Sequence, residues 1–592
     1  MLDLRERPFT DRGSRLLVMA ADDGSLWIAR ARYETRLRDT TVLTGLRVLA
    51  GDRELRVRQA LPDRVDFEGG VAMAFAGPDT IVLTGRNARA VWDGGEADID
   101  DCLTLVGPPA PGGRAPDGPV TGGPVTGGPI PGGFVTGGSV TGGPATGPVT
   151  GGSVTVSPVT GDSVTGGHVT GGAAVLAAAA GRWRDWFAAM PSVPEALRER
   201  AEQAWWTLGV NLVPIRGRES LIPSKYGYVG LWNWDSYFHA IALRHADPAL
   251  AREQIRILLD NQSLDGLIPD VVHDHGVLAE TTDLPRSDLA RLAQHVGGEP
   301  LREVVPVTKP PLTAWAVWKI HEADPDLDFL AEVYEPLARS QEWWFTHSDP
   351  DGDGLAEYLH PYSSGLDDSP IWDHGPRAEP PDLNSYLALQ YDRLGDIAAA
   401  LGHDPSGWRA KAQALVDLMV ARRWNGSRFV TKVAGREADV RTPLDLMPLL
   451  TGRLPTAIAD RLVEDLRSPS FWGERPVPTV AFDDPRFDPD AMWRGPVWLN
   501  VNYLLIDGLR RSGHEKTARE LRERTLAMVR DGGGLYEYWN PLTGRRAGRA
   551  TSGFGWSAAL FLDLAHENPA THENPATHEE PAAHENAPAQ AE

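Results

Sequence analysis

Apolar residues recur with the period of an α-helix through most of the stretch from 176 to 566, and this pattern narrows the possible folds more than any other feature. Residues 382–401 show it: Leu383, Leu387, Leu394, Ile397 and Leu401 share one stripe with Gln390. Such segments lie near 195–212, 235–246, 248–261, 312–323, 327–347, 382–401, 406–422, 441–451, 455–466, 497–512, 515–530 and 555–565. Strand-like runs between them are few, and long loops rich in Trp, Gly and Asp follow alternate segments. Twelve helices joined in this way fit six helical hairpins closed into an (α/α)6 barrel. An open helical solenoid fits the same count but would carry a repeat of about 35–45 residues, and the sequence has no such internal similarity.

The segments outside this body have other compositions. Residues 1–108 hold short β-type runs at 15–19, 25–29, 41–43, 71–75 and 80–83, punctuated by Asp22-Asp23-Gly24 and Glu68-Gly69-Gly70. This spacing predicts a smaller antiparallel β-sandwich ahead of a mainly α chain. Residues 109–175 repeat a Val-Thr-Gly-Gly unit, as at 120–123 and 125–128. Gly, Pro and Thr offer little to build a core with, so the expectation is a disordered linker. The tail at 567–592 repeats His-Glu-Asn-Pro-Ala-Thr and is expected to be disordered for the same reason.

Charge and cysteine content exclude several functions. The chain has 58 Lys and Arg against 81 Asp and Glu, a net charge of −23. A nucleic-acid partner needs a basic footprint, and so does an anionic membrane surface. The single Cys102 excludes an intrachain disulfide or a cysteine-rich zinc site. The first residues lack the apolar core of an export signal, and no apolar stretch is long enough to span a bilayer. A cytoplasmic protein is expected.

Eighteen of the twenty tryptophans lie in the helical body, several beside polar groups in loops. Examples are Trp232-Asn233-Trp234-Asp235, Trp372-Asp373, Trp493-Arg494-Gly495-Pro496-Val497-Trp498, Tyr536-Glu537-Tyr538-Trp539-Asn540 and Phe554-Gly555-Trp556. Aromatic faces cover the C–H faces of sugar rings while carboxylates and amides bind the hydroxyl groups, so these clusters point to a carbohydrate cleft. Cleaving a glycosidic bond takes two carboxyl groups on opposite sides of it. Asp235, Asp265, Asp270, Asp367, Asp368, Asp373 and Glu537 are candidates, and spacing does not choose among them. An Asp beside Gly or Ser also serves as a turn or helix-cap residue.

Ser364-Gly365-Leu366-Asp367-Asp368-Ser369-Pro370 resembles the general-acid loop of glycoside hydrolase family 63 and the related trehalases. The run from Val229 to His239 resembles the first sugar-binding loop of that group. Lys309-Pro310-Pro311 with Ala314-Trp315, and the segment 493–498, resemble two further signatures. The segment 536–541 followed by Gly553-Phe554-Gly555-Trp556-Ser557 resembles the general-base segment. The blocks keep the family's order, and the helical body is most similar to mannosylglycerate and glucosylglycerate hydrolases. The N-terminal part resembles, more loosely, the β-domain of glycogen-debranching-type proteins.

The resemblance implies an inverting α-glycosidase acting on an α-glucoside or α-mannoside without a cofactor. Asp367 matches the acid and Glu537 the base, with Asp368 the alternative at the first position. Trp232, Trp234 and Asp235 would hold the sugar, Trp493, Arg494 and Trp498 would line the same wall, and Trp539 and Trp556 belong to the matching segments. Lys309 and Arg494 are candidates for an anionic aglycone such as glycerate, since a carboxylate suits a fixed guanidinium fork. Rival readings are a debranching-type α-1,6-glucosidase, a non-catalytic carbohydrate-binding protein and a scaffold. A calcium loop at 349–354 is set aside because loop position 12 is His360, not Glu. The pair His273 and His275 lacks a further ligand set, and no phosphate-binding loop or serine-hydrolase elbow is present.

Overall fold

The computed structural model describes residues 2–106, 155–158, 163–165, 168–284 and 304–566. The tail at 567–592 and most of the linker at 109–175 lie outside these residues.

The β-type runs of the N-terminal region form one antiparallel sheet. Its strands are β1 (Leu16–Ala20), β2 (Leu26–Arg30), β3 (Thr41–Ala50), β4 (Arg53–Glu54), β5 (Val57–Ala60), β6 (Val65–Phe67), β7 (Ala72–Gly77), β8 (Thr80–Trp92), β9 (Gly95–Val106) and β10 (Thr155–Pro158). The order is β1-β2-β3-β8-β7-β6-β5, with β9 along β8 and β10 along β9. The long strand β8 changes neighbours part-way. Residues 80–84 pair with β7 and residues 89–91 with β3, and the register against β9 shifts between Gly85 and Ala88. Such a bulge bends a strand and turns the sheet over on itself. Leu16, Ile28, Val48, Phe75, Leu83 and Ile99 accordingly meet in one apolar core. The N-terminal region is thus one antiparallel sheet curved into a half-barrel, where a two-sheet sandwich was expected. Helix α1 (Gly172–Ala188) packs Val175 and Ala179 against Ala74, Val82 and Cys102 on the back of β7 and β8.

The helical body contains α2 (Arg198–Asn211), α3 (Asn233–Leu243), α4 (Pro248–Leu259), α5 (Thr313–Ala323), α6 (Leu327–His347), α7 (Pro381–Ala400) and α8 (Ser406–Arg423). A 3-10 helix (Pro443–Thr451), α9 (Thr456–Leu466), α10 (Leu499–Arg511), α11 (Glu515–Asp531) and α12 (Gly555–His566) follow. Helices α3, α5, α7, the 3-10 helix, α10 and α12 touch in that order, and α12 returns to α3, closing an inner ring. Helices α4, α6, α8, α9, α11 and α2 back them in turn. This is the (α/α)6 barrel, and ring closure excludes the solenoid.

The two layers differ in pattern as their surroundings require. Outer α9 buries Ala459, Leu462, Val463 and Leu466, a single stripe. Inner α3 buries every residue, and α12 buries all but His566. The segment at 443–451 is 3-10 and not α. Pro448, inside the segment, lacks the N–H that an α-helix would bond to the carbonyl four residues back, whereas Pro443 sits at the first position, where proline is tolerated. Among the described residues, no helix is long and apolar enough to cross a membrane.

The ring is joined at a buried charge. Asp563 of α12 is fully buried and accepts from Tyr503 Oη of α10 at 2.6 Å. It also meets Arg244 at 2.9 Å and His245 at 2.7 Å, both just beyond α3. Burial alone would push this carboxyl up, but Arg244 and His245 hold it well below the usual carboxylate range. A depressed carboxylate stabilises the fold fully above about pH 4 and loses that contribution as the pH falls toward its folded value. Asp563→Asn leaves Arg244 without its buried counter-charge, so urea unfolding at pH 7 should show a loss of about 3–5 kcal/mol. The difference from the wild type should shrink in strongly acidic buffer.

Candidate active site

Successive helices of the barrel alternate between the two layers and reverse direction, so every inner helix begins at the same end. The loops arriving there carry the motif residues. Trp232 immediately precedes α3, Trp498 precedes α10, and Gly555 opens α12. Asp367 lies in the connection from α6 to α7, and Glu537 in that from α11 to α12.

These loops surround one small pocket. The carboxyl groups of Asp235, Asp367 and Glu537 line it together with Lys309. Trp232, Trp234, Trp493, Trp498 and Trp556 supply the aromatic wall. Larger grooves beside α1 and α2 and on the N-terminal sheet contain none of the predicted site residues.

The aromatic wall is tightly packed. Trp493 and Trp498 stack with ring centroids 3.5 Å apart and planes 8° from parallel. Tyr538 stacks on the Trp498 ring at 4.6 Å. Trp556 meets Trp234 edge-on at 5.3 Å and Trp498 at 5.5 Å. Gly365, with φ +72°, lies beneath the Trp234 ring, where a Cβ would collide with the indole. Only glycine therefore suits this turn before Asp367.

Short pairings position the polar groups. The strand Leu231–Trp232 pairs with Val271–His273, and Asn233 N donates to Asp270 O at 2.8 Å. Lys309 Nζ lies 3.3 Å from Asp270 Oδ2 and donates to Tyr362 O at 2.6 Å. Burial pushes Asp270 up to about 6 against the opposing effect of Lys309. Burial also raises Asp235 well above the usual range, with Lys309 opposing and Asp270 and Glu537 adding to the rise. Burial works against the Lys309 cation, but Asp270, Asp367 and Asp235 around it keep its pKa raised.

Glu537 is held on both oxygens. Its N–H donates to Thr551 O at 2.8 Å, and Thr551 N returns a bond to Oε2 at 3.0 Å. Tyr228 Oη donates to Oε1 at 3.2 Å. Burial raises this carboxyl above its ordinary value, while the donors from Thr551 and Tyr228 favour its ionised form.

Three expected site residues do not line the pocket. Asp368 Oδ1 accepts the Trp493 backbone N–H at 2.8 Å, so this neighbour of Asp367 ties its loop to the 493–498 loop. Arg494 forks onto Asp373, with Nη1 3.2 Å from Oδ2, and this pairing engages its guanidinium away from the pocket. Trp539 is buried, and its backbone exchanges bonds of 2.8 and 3.0 Å with Val497. Asp265 accepts from Ser263 in a turn and lies 3.6 Å from His347. Tyr228 and Phe554 were missing from the expected set yet line the pocket. Tyr228 directly precedes the sugar-loop motif, and Phe554 lies within one of the tryptophan clusters.

Asp349, Asp351 and Asp353 bring carboxylate oxygens within 4.8 Å of one another. Lys432 Nζ lies 2.8 Å from Asp351, and Asp349 accepts the N–H groups of Asp353 and Gly354. These acids serve an ion pair and a turn.

Comparison with known proteins agrees with this geometry. The profile of the mannosylglycerate hydrolase MGH1-like glycoside hydrolase domain matches residues 228–557. A mannosylglycerate hydrolase of Thermus thermophilus is 28% identical over 415 residues, covering 58% of this chain and 95% of that protein. A glucosylglycerate hydrolase of Mycolicibacterium hassiacum is 26% identical over 413 residues, covering 57% and 92%. A solved family 63 mannosylglycerate hydrolase from Thermus thermophilus, in complex with Tris and D-glycerate, superposes with a TM-score of 0.51 at 25% identity. That match covers 61% of this chain and 98% of the solved one. The chain therefore belongs to the mannosylglycerate hydrolase MGH1-like family of glycoside hydrolases, within the family 63 group.

Proposed function

We propose that this protein is an inverting α-glycosidase that releases one glucose or mannose from a small α-glycoside such as glucosylglycerate or mannosylglycerate. Asp367 is the general acid and Glu537 the general base. The observation that carries the assignment is that both groups face one tryptophan-walled pocket while Asp368 bonds to the Trp493 backbone. The similarity to mannosylglycerate and glucosylglycerate hydrolases supports the substrate class. The lone buried Cys102 suits a cytoplasmic setting.

The two carboxyl groups that line the pocket divide the chemistry. Asp367 gives its proton to the glycosidic oxygen as the bond to the anomeric carbon breaks. Water attacks that carbon from the opposite face and passes a proton to Glu537, so the anomeric configuration inverts. Glu537 must be ionised to accept the proton, and the Thr551 and Tyr228 donors favour that state. Burial favours the neutral form of Asp235 against the pull of Lys309, and its carboxyl lines the pocket where a sugar hydroxyl would lie.

Asp367→Asn and Glu537→Gln should each lower kcat by at least about 100-fold on the preferred glycoside. Proton NMR of the first sugar released from an α-glycoside should show the β-anomer, and an initial α-anomer would overturn inversion. The acidic limb of kcat/KM reports Glu537 protonation, so it should lie above the range of an exposed glutamate. Tyr228→Phe removes a donor that favours the carboxylate, which raises the Glu537 pKa further. The acidic limb should then move to higher pH, by up to about one unit, and a shift to lower pH would contradict the assignment.

A further inference from the structure

The N-terminal domain reaches the mouth of this pocket. Beyond β2 the chain turns at Tyr33 and Glu34, and Glu34 adopts a left-handed φ of 47°. That conformation disfavours a residue with a Cβ and persists where surrounding contacts impose it. Glu34 N donates to Gly227 O at 3.0 Å, one residue before Tyr228. The Tyr33 ring lies against Trp232, centroids 5.6 Å apart, and stacks flat on His273 at 4.3 Å and 2°. Trp232 in turn meets Tyr228 at 5.4 Å, and Tyr228 bonds to Glu537. The hairpin that carries His273 is clamped from the same domain, where Arg15 Nη2 donates to Asp274 Oδ1 at 2.8 Å.

Burial shows which side of the pocket is open. Trp234, Trp493, Trp498 and Trp556 are at most 3% exposed. Trp232, Tyr228 and Tyr33 are only half-buried, and Glu34 is exposed. Asp367 and Met492 are half-buried as well, so the open side of the pocket runs from the acid to Trp232, against which the Tyr33 ring lies. Both turn residues lie outside the 228–557 stretch that the family profile matches.

We propose that the Tyr33–Glu34 turn of the N-terminal domain forms the aglycone-side wall of the pocket, which makes that domain part of the specificity machinery. This rests on the glycosidase reading above. Tyr33 is a positioning residue: it fixes the Trp232 ring and narrows the mouth that the aglycone occupies.

The test compares two leaving groups in the full-length chain. Glucosylglycerate and mannosylglycerate carry an aglycone, whereas the corresponding α-glycosyl fluorides present a single atom at that position. Tyr33→Ala should lower kcat/KM for the glycoside about tenfold, mainly through KM. Its loss on the glycosyl fluoride, which shares only the sugar side of the site, should be severalfold smaller. Tyr33→Phe keeps the ring and should behave as wild type, and thermal melting shows whether either variant is folded. Equal losses on both substrates, or no loss on either, would overturn the proposal. A wild-type chain inactive on every substrate would instead overturn the glycosidase reading. The wall is then tested by tryptophan-fluorescence titration. Tyr33→Ala should weaken binding of the intact glycoside but not of glucose or mannose, and equal or no weakening would overturn it.

Discussion

Closure of the inner ring is the constraint on which everything else in this protein depends. Helix α12 completes the ring between α10 and α3, and its Asp563 carries a charge into the dry seam. A lone buried carboxylate would be expelled or neutralised there. Tyr503, Arg244 and His245 satisfy it from the two neighbouring sides, so the charge is stable only when all three elements are assembled. With the ring closed, six inner elements start at one end and their loops converge. Tyr228 and Glu537, 309 residues apart in the chain, then share a hydrogen bond.

The same exclusion of water that packs the barrel sets the chemistry of its open end. Packed indoles leave little room for solvent around Asp235 and Glu537, and burial raises both carboxyls, as it does that of Asp270 beside Lys309. What separates them is the partner each finds. Asp270 has Lys309 at 3.3 Å, Glu537 has N–H and O–H donors, and Asp235 feels Lys309 opposed by Asp270 and Glu537. Similar residues thereby meet different local fields around one pocket.

The N-terminal sheet is bound to the barrel through groups that approach the catalytic loops. Lys225 Nζ donates to Thr10 Oγ1 at 2.8 Å and to Asp11 O at 3.1 Å, and Lys225 precedes the segment that holds Tyr228. Arg12 pairs with both oxygens of Glu219 at 2.7 and 2.8 Å. These contacts set the Tyr33 turn against the hairpin at 271–278 and link the sheet mechanically to the pocket mouth.

The sequence by itself determined the number, order and approximate bounds of the barrel helices, because a helix with one face toward a core repeats its apolar residues locally. It also brought out the motif loops, because tryptophans beside carboxylates are conspicuous wherever they fold. It could not assign Asp367 and Asp368, adjacent and chemically identical, to their different directions. The Trp493 N–H that takes Asp368 comes from a loop 125 residues away. Arg494 looked available for an anionic aglycone because its partner Asp373 lies 121 positions upstream. Tyr228, Trp539 and the Tyr33 turn were opaque for the same reason. Local periodicity records which face of a segment is buried, whereas the partner that satisfies a polar group is decided only when distant loops meet in three dimensions.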